Sequence, residues 1–392
     1  MSRLNLIGLL PSEMEGLAVE WGASRYRGRQ LATWIYRKGV FDLEAMSDLP
    51  KEWRALVADR AVAALPEIER ETPSQDGSRK LVFRLPDGAR VSAVLMPDDG
   101  RITLCLSTQV GCGYGCAFCL TGTMGLERNL TAGEIVGQLL AANALLERES
   151  QVGGSAVGAA AGGLLERPGG PRDGPPDPPT AATAATPAPA GARVTHLVFM
   201  GMGEPLANYA ALVQALRILT DARLGLSYSP RRITVSTVGL VSGIERLGRE
   251  SLKVNLAVSL HAATDEVRAR LMPVNRSWNL AALMAAVKRY PLAPRQRVFF
   301  EYVMLDGVND SLDDAQALAR LLRGVRAKIN LIPFNDWDGA PFRRPPLPRI
   351  LAFQSVLLDA GITTTVRWSK GEDIGAACGQ LREPVAAAGV PA

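Results

Sequence analysis

Residues 107–122 read STQVGCGYGCAFCLTG, and they place Cys112, Cys116 and Cys119 within eight positions of one another. Three thiolates from one short loop are one ligand short of a closed tetrahedral zinc site. They suit a [4Fe-4S] cluster in which one iron has no protein ligand and stays open to chemistry. Two other interpretations remain open on these residues alone: a zinc site completed by a distant fourth ligand, and buried structural cysteines.

The composition of the whole chain is typical of a globular protein. Its 392 residues are 47% hydrophobic and 21% charged, with a formal net charge of +5. That length allows one large domain and an accessory one. No window holds about 18 uninterrupted apolar residues, and the N-terminus lacks a signal-peptide core, so we expect a cytoplasmic protein without a membrane span. Five cysteines, an odd number, indicate metal-binding or catalytic thiols more than disulfides.

From residue 102 onward, apolar strand-like segments alternate with helical ones. A predicted strand over Ile102–Val110 runs into the cysteine loop, and a helix follows from about Thr131, where Glu134 completes a capping box. The further strand candidates are His196–Met200, Ile233–Thr237, Val254–Leu260, Val298–Met304, Lys328–Pro333 and Thr363–Trp368, separated by helical stretches such as Tyr209–Leu219, Leu280–Arg289, Leu312–Leu322 and Ile350–Ala360. Repeated β–α units predict an α/β fold with a parallel sheet, either open or closed into a barrel. In a barrel, active groups lie at the carboxyl ends of the strands.

Two smaller units precede this pattern. Residues 1–75 are predicted to form a helical accessory domain, in which Leu31, Trp34 and Ile35 share one helical face behind a group of arginines. Such a unit is suited either to contacting RNA or to packing alone. Residues 76–101 are predicted to form a β-hairpin connector, because alternating segments flank the turn Pro86-Asp-Gly88.

The barrel region, residues 102–383, is interrupted at 150–192, and a similar segment ends the chain at 384–392. Both are rich in glycine, alanine and proline. Such segments cannot bury enough apolar surface to order themselves. We therefore expect a disordered insertion and a flexible tail.

Small or polar residues follow several of the predicted strands. They are Gly203 and Glu204, Ser236, Ser259 with Leu260 and His261, and Asn335. Singly, each fits a cap or a turn, and His261 also fits a structural histidine. Together they predict a ring of hydrogen-bonding groups at one mouth of the barrel, where glycine lets a ligand approach the backbone.

The two remaining cysteines stand outside the cluster motif. Cys105 lies in the middle of the first predicted strand, where a buried thiol is the simplest interpretation. Cys378 lies in the glycine-rich stretch GEDIGAACGQL after the last strand, which indicates an exposed thiol available as a nucleophile. Cys105 and Cys378 are thus candidates for a redox pair.

These motifs resemble, in order, those of the radical S-adenosylmethionine (SAM) enzymes that methylate C2 of adenine in 23S rRNA and in certain tRNAs. The matching segments are the cysteine motif, RNLTAGEIVGQ, GMGEPL, STVG, SLHA, EYVMLDGVND, INLIPFN and GEDIGAACGQL, with WIYRKG and MSDLPKEWR near the N-terminus. Only residues 150–192 and the tail fall outside the resemblance. It implies a partial (β/α)6 radical SAM barrel with an N-terminal helical accessory domain.

The resemblance also implies a role for each matching position. The implied cluster ligands are Cys112, Cys116 and Cys119, and the implied SAM contacts are Gly203, Glu204, Ser236, Ser259, Leu260, His261 and Asn335. Cys378 would become S-methylcysteine, and Cys105 would resolve the covalent RNA adduct through a transient disulfide. Two SAM molecules would be used per turnover, one of them giving the 5′-deoxyadenosyl radical. An electron donor such as flavodoxin would reduce the cluster of a monomeric enzyme.

One position departs from the family pattern. The family usually has a glutamate thirteen residues before the position of Cys105, as a base for the C2 proton, and this chain has Ser92 there. Serine is a poor base without an activating partner. Asp98, Asp99 or water are the candidate replacements. A paralogue acting on adenine C8 and a non-catalytic, metal-stabilised RNA-binding protein are the alternative functions.

Overall fold

A ten-stranded sheet organises the chain. The computed structural model describes residues 3–156, 192–337 and 339–383. The strands are β1 (Leu4–Asn5), β2 (Ala61–Val62), β3 (Glu67–Pro73), β4 (Arg79–Arg84), β5 (Arg90–Asp98), β6 (Arg101–Cys105), β7 (Gln109–Cys112), β8 (Gly125–Asn129), β9 (His196–Phe199), β10 (Ile233–Thr237), β11 (Asn255–Ser259), β12 (Val298–Met304), β13 (Ala327–Pro333) and β14 (Thr363–Val366). The helices are α1 (Pro11–Glu20), α2 (Arg25–Ala32), α3 (Lys51–Arg60), α4 (Ala132–Ala156), α5 (Tyr209–Thr220), α6 (Val241–Arg249), α7 (Asp265–Leu271), α8 (Leu280–Arg289), α9 (Leu312–Leu321) and α10 (Leu347–Asp359).

Seven of these strands are parallel neighbours, in the order β6, β9, β10, β11, β12, β13 and β14. Helices separate each strand from the next along the chain. In α5, for example, Leu212, Leu216 and Leu219 recur at helical spacing and are fully buried. The sheet ends at β14 on one side and β3 on the other, so the barrel is partial, as the resemblance implied.

The predicted hairpin is part of a larger antiparallel extension of the same sheet. β4 and β5 pair around the turn at Gly88, whose N–H donates to the carbonyl of Leu85 at 2.9 Å. β5 also pairs with β6, and β4 pairs with β3, a strand that the sequence did not predict. Its residues, Glu67–Pro73, are mostly exposed and charged, which removes the apolar alternation on which the prediction depended.

The predicted strand over Ile102–Val110 is wrong in its second half. β6 ends at Cys105, and β7 begins at Gln109 in a separate two-stranded sheet with β8. Gly111 has φ +73°, and a Cβ there would lie 2.0 Å from the carbonyl oxygen of Gly125, so β7 and β8 approach this closely only with glycine. Cys105 therefore ends its strand, and the cysteine loop follows β7 instead of β6.

The N-terminal unit is helical with one short parallel pair, β1 with β2. Leu31 and Ile35 are buried as predicted, whereas Trp34 is partly exposed and donates from Nε1 to Asp48 at 2.5 Å. The unit docks on the start of α4 by direct backbone contact. A Cβ at Gly8 would lie 2.3 Å from the amide nitrogen of Gly133, which leaves no space for a side chain between them.

The capping box at the start of α4 is confirmed, since Thr131 and Glu134 exchange side-chain and backbone hydrogen bonds of 3.1 and 2.8 Å. The helix continues through Ala156, so the first residues of the 150–192 segment are helical instead of disordered. The rest of that segment, up to residue 191, lies outside the described residues, and so does the tail at 384–392. In the described part of the chain, no helix is long and apolar enough to cross a membrane.

Candidate active site

The strand register places the polar side chains of the parallel strands on one face of the sheet. Ser259 pairs with Glu301, and Glu301 pairs with Asn330. Ser236 pairs with Ala257, which lies two residues before Ser259 and so shares its face. Paired residues of neighbouring strands point to the same side. The inner face of the partial barrel therefore carries a row of hydrogen-bonding groups.

A cavity opens on this inner face at the carboxyl ends of the strands. Its walls include almost all the site residues predicted from the sequence: Cys105, Cys112, Cys116, Cys119, Gly203, Glu204, Ser236, Ser259, His261, Asn335 and Cys378. The two exceptions are Ser92 and Leu260, which are both fully buried. The structure thus brings together residues that are up to 273 positions apart in the chain, from Cys105 to Cys378.

The cysteine loop is fixed from several sides. Cys119 donates from its backbone N–H to the carbonyl of Cys116 at 3.1 Å, which tightens the second half of the motif into a turn. Ala117 donates to the carbonyl of Leu271 at 2.9 Å, and this bond ties the loop to the end of α7. The three cysteine side chains are therefore presented to the cavity by a backbone that is anchored outside the loop.

The three thiols fit an iron–sulfur cluster. Burial raises the pKa of Cys112 to about 11 and raises the pKa values of Cys116 and Cys119 as well. Buried thiolates need a positive partner, and bound iron ions supply that charge as the protons leave. Among the described residues, no three histidine, cysteine or acidic side chains converge at the spacing of a single metal ion. A [4Fe-4S] cluster does not require its ligands to converge on one point, because each cysteine binds a different iron.

Gly203 and Glu204 follow β9 and face the cluster motif. Gly203 has φ +94°, and a Cβ there would lie 2.4 Å from the side chain of Gln109 on β7. Glu204 is buried, and its carboxylate oxygens accept hydrogen bonds from the backbone N–H groups of Leu206 and Val238 at 3.0 and 2.7 Å. Burial raises the pKa of Glu204 to about 7 despite these bonds. The carboxyl group is thus held in one orientation at the cavity wall.

His261 is a neutral donor in this wall. Its Nδ1 accepts a hydrogen bond from the N–H of Val303 at 3.0 Å, which leaves the ring proton on Nε2. Burial lowers the pKa of His261 to about 3, with a smaller contribution from the charge of Arg268. The ring of Phe118 packs edge-on against it, with centroids 4.7 Å apart. One ring nitrogen is thus satisfied structurally, and the other remains a hydrogen-bond donor.

The lowered pKa of His261 predicts that the free energy of unfolding decreases as the pH falls. The ordinary pKa is 6.5, so the imidazole takes up a proton only on unfolding when the pH lies between about 6.5 and 3. Its contribution to the free energy of unfolding is complete above pH 6.5. That contribution falls by up to about 1.4 kcal/mol per pH unit as the pH decreases.

The variant His261→Asn tests this assignment. Asparagine does not titrate in this range, and it tolerates the left-handed backbone of residue 261, which has φ +58°. We expect the variant to lose stability less steeply than the wild type between pH 7 and pH 5. Urea denaturation of both proteins at three pH values measures the difference. Parallel profiles would show that the imidazole is not buried in its neutral form.

The two outlying cysteines both line this cavity. Cys105 is buried at the end of β6, and its pKa is raised to about 12 by burial and then by the nearby Cys378 thiol. Cys378 is exposed, as predicted. The side-chain amide of Asn335 donates to the carbonyl of Cys378 at 3.3 Å and to the hydroxyl of Ser369 at 2.8 Å. The loop that carries Cys378 is therefore bonded to a strand end of the barrel.

Comparison with known proteins agrees with this arrangement. Residues 4–63 match the family described as the ribosomal RNA large subunit methyltransferase N-terminal domain. The chain is 44% identical to the dual-specificity RNA methyltransferase RlmN of Paracoccus denitrificans, over 96% of this chain and 89% of that protein. It is 44% identical to the protein of the same name from Syntrophobacter fumaroxidans, over 92% of this chain and 94% of that protein.

The chain belongs to the RlmN family of dual-specificity RNA methyltransferases. A crystal structure of a radical SAM methyltransferase from Sphaerobacter thermophilus is 43% identical and superimposes with a TM-score of 0.82, covering 97% of this chain and 99% of that one. The fold and the enzyme class that the resemblance implied are thereby confirmed. Membership of the RlmN family implies SAM and an iron–sulfur cluster as cofactors.

The site of this RlmN-family enzyme contains two charged residues that sequence reasoning missed. Arg367 follows β14 and lines the cavity, and its pKa is raised first by the charge of Cys378 and then by Glu301 and Cys105. Glu301 is buried, with one oxygen accepting from the side chain of Asn330 at 2.8 Å and the other lacking a partner among the described residues. Glu301 lies in the segment EYVML and Arg367 in the segment TVRW. Both are single charged residues among mostly apolar strand neighbours, so the sequence did not mark them as site residues.

At the position where the RlmN family usually has a glutamate, a carboxylate reaches Ser92 from another part of the chain. The Ser92 hydroxyl donates to Oε1 of Glu383 at 2.6 Å, and both side chains are buried. Asp98 and Asp99, the replacements considered from the sequence, are exposed at the end of β5 and in the turn that follows it. Asp98 forms an ion pair with Arg101 at 2.6 Å.

This contact predicts that restoring the glutamate of the RlmN family destabilises the protein. Ser92→Glu would bury a second carboxylate against Glu383, and one of the two would have to protonate or stay unpaired. We expect the free energy of unfolding to fall by about 3 kcal/mol, measured by urea denaturation near neutral pH. Ser92→Ala is the matched control and should cost about 1 kcal/mol, the value of one hydrogen bond. A Ser92→Glu protein as stable as the wild type would contradict the observed contact.

Proposed function

We propose that this enzyme methylates C2 of adenine in 23S rRNA and in some tRNAs, using two SAM molecules per turnover. One observation carries the proposal: the three cluster cysteines and two further thiols line a single cavity. An ordinary SAM-dependent methyl transfer needs a nucleophilic acceptor, and C2 of adenine has no lone pair. A protein thiol can accept the methyl group first, and this requires cysteines in addition to the three of the cluster motif.

Cys112, Cys116 and Cys119 are the residues that would hold a [4Fe-4S] cluster. The cluster and SAM, when bound, supply the radical chemistry that an electron-poor aromatic carbon requires. The three-cysteine motif suits a cluster with one iron available to SAM, because it provides one thiolate fewer than the cluster has irons.

The strand-end residues are suited to bind SAM. They are Gly203, Glu204, Ser236, Ser259, His261 and Asn335, which line the cavity, whereas Leu260 is buried behind its wall. Gly203 offers bare backbone, and Glu204 offers a fixed carboxyl group to a ligand with a free amino group. His261 offers its Nε2 proton as a donor, because its Nδ1 is already bonded. The neutral imidazole avoids repulsion with a cationic sulfonium ligand.

Cys378 and Cys105 would carry the covalent half of the reaction. The Cys378 sulfur would take up the methyl group of one SAM. The radical supplied by the second SAM would remove one hydrogen atom from that methyl group, so that its carbon bonds to C2 of adenine, and the adduct would return one electron to the cluster. The Cys105 thiolate then attacks the Cys378 sulfur, so that an S–S bond forms while the S–C bond to the base breaks. The electron pair of the broken bond stays on the carbon, which takes up a proton to become the methyl group, and the C2 proton is lost. Arg367 favours the thiolate form of Cys105 that this attack requires.

We propose a monomeric cytoplasmic enzyme that receives electrons from a small donor such as flavodoxin. The N-terminal unit is proposed to contact RNA. Its exposed Arg25 and Arg29 extend from α2 into solvent, with Glu15 as their partner at 3.9 and 3.7 Å. Ion pairs this long and exposed are weak, so both arginines can pair with phosphate instead.

The test is methylation of purified RNA by the reconstituted enzyme. Anaerobic protein with bound iron, SAM and a reductant is incubated with 23S rRNA and tRNA from cells that lack the modification. Nucleoside mass analysis is expected to find 2-methyladenosine in both RNAs. Product only at C8 would contradict the assigned position, and product in rRNA alone would remove tRNA from the proposal. Protein that binds zinc instead of iron would contradict the cluster.

A further inference from the structure

The loop that carries Cys378, residues 371–383, is fastened at both ends to the antiparallel strands. At its start, the N–H of Gly371 donates to Asp76 at 2.8 Å, and Asp373 accepts from the N–H of Gln75 at 3.0 Å. Both partners lie in the turn between β3 and β4. This end of the loop is therefore bonded outside the parallel barrel.

The other end of the loop is fastened by one buried carboxylate. Oε1 of Glu383 accepts hydrogen bonds from Ser92 at 2.6 Å and from the Lys80 ammonium at 2.7 Å. Its Oε2 accepts from the Arg70 guanidinium at 2.9 Å. The Glu383 side chain is only 1% exposed. Three donors on two oxygens compensate the cost of burying the charge, so the carboxylate is committed to these contacts.

The strand register puts this anchor on the cavity side of the sheet. Val82 pairs with Arg70 on β3 and with Ser92 on β5, and Ser92 lies two residues before Val94. Val94 pairs with Cys105. Residues that are paired, or two apart on one strand, share a face. Glu383 therefore holds the loop to the same face from which the Cys105 thiol points.

Between its two ends, the loop that carries Cys378 is also hydrogen-bonded to the cysteine loop. The N–H of Leu120 donates to the carbonyl of Gly379 at 2.6 Å, and the hydroxyl of Thr121 donates to the carbonyl of Leu381. The backbone on the C-terminal side of Cys378 is thus hydrogen-bonded first to the cysteine loop and then, through Glu383, to β5. The Cys378 thiol is exposed, so its position depends on the hydrogen bonds that fix the last residues of the loop.

We propose that Glu383 is a positioning residue for Cys378, whose contacts with Arg70, Lys80 and Ser92 hold the Cys378 thiol within reach of Cys105. Glu383 is not part of the cavity wall, and its oxygens are occupied by three donors. This inference rests on the proposed function, in which Cys105 and Cys378 must form a disulfide. It adds the residue that brings the two sulfurs together.

The test is the rate at which the two thiols form a disulfide in the anaerobic, iron-loaded protein. Diamide takes up two electrons and two protons as the thiols form the disulfide, and peptide mass analysis identifies the Cys105–Cys378 link. In Glu383→Gln, which has the same size but no charge, we expect this rate to fall at least about tenfold. Alkylation of the exposed Cys378 by iodoacetamide should not slow. Loss of positioning should slow formation of the Cys105–Cys378 disulfide without changing the exposure of the Cys378 thiol to the reagent.

Arg382→Gln is the matched control, because Arg382 is the exposed neighbour of Glu383 in the same segment, and its rate should equal that of the wild type. A Glu383→Gln protein that forms the disulfide at the wild-type rate would overturn the proposal, and so would a wild-type protein that never forms it. Should Glu383→Gln lose iron, Lys80→Met replaces it, with the same two outcomes. The assay needs no RNA and no methyl transfer, so a failure of the proposed function appears separately, in the wild-type methylation test.

Discussion

Replacing Cys378 by alanine is expected to reduce methyl transfer to RNA by on the order of a thousandfold or more, because the variant lacks the thiol that we propose accepts the methyl group. The thiol of Cys378 is exposed on the wall of the cavity, and its charge partner Arg367 keeps Glu301 as a second partner when alanine replaces the thiol. The variant should therefore fold, bind iron and consume SAM in the presence of a reductant. Methyl incorporation into RNA and SAM consumption, measured in the same reaction, separate these effects.

The control for this variant is its iron content, which should equal that of the wild type because Cys378 is not among the proposed cluster ligands. A Cys378→Ala protein that methylates RNA at a rate close to the wild type would rule out a covalent intermediate at this residue. A protein that lost iron as well as activity would place Cys378 in the cluster site instead.

Replacing Cys105 by alanine is expected to trap the enzyme on its RNA. The Cys105 thiol is buried at the end of β6, beside the cavity, and burial holds its pKa near 12. Without it, no sulfur is placed to attack the Cys378–carbon adduct, so product release should fall by on the order of a thousandfold. A protein band of increased mass on a denaturing gel, sensitive to ribonuclease, measures the trapped species.

The double variant Cys105→Ala with Cys378→Ala is the matched control, since it lacks the sulfur to which RNA would be linked, and it should show no such band. Cys105→Ala is a small change in volume at a buried strand end, so iron content should be unchanged. Recovery of free, methylated RNA from Cys105→Ala would show that another group resolves the adduct.

The parts of the fold that the sequence predicted depend on local patterns. The parallel strands and α4 were recognisable because apolar runs alternate with capped amphipathic helices, and the exchange between Thr131 and Glu134 is a contact over three residues. β7 and β8 were missed because they form around glycines, whose close approach at Gly111 leaves no apolar signature. Apart from β6, the carboxyl ends of the parallel strands were predicted to within a few residues, and this was sufficient to place Ser236 and Ser259 at strand ends.

The candidate site was predictable where a motif marks its chemistry, and not where chemistry depends on distant partners. Cys112, Cys116 and Cys119 lie within eight positions of one another, so their spacing alone favoured a metal site. Glu383 contacts Ser92 across 291 positions, and no local pattern marks either of them. Arg367 has its functional neighbours, Cys105 and Cys378, on another strand and on a separate loop. Such residues become visible only when the register of the sheet is known.

The antiparallel extension limits how this protein can be divided into smaller pieces. A chain shortened to begin at residue 76, where the predicted accessory domain ends, would be cut in the turn between β3 and β4. It would lose Arg70 and expose β4 as an edge strand, with unpaired backbone beside the apolar run Leu81–Phe83. Unprotected edges of this kind pair with other chains, so such a fragment would aggregate. Pieces of the enzyme intended for separate expression should therefore keep β3 with the barrel and be divided before Glu67.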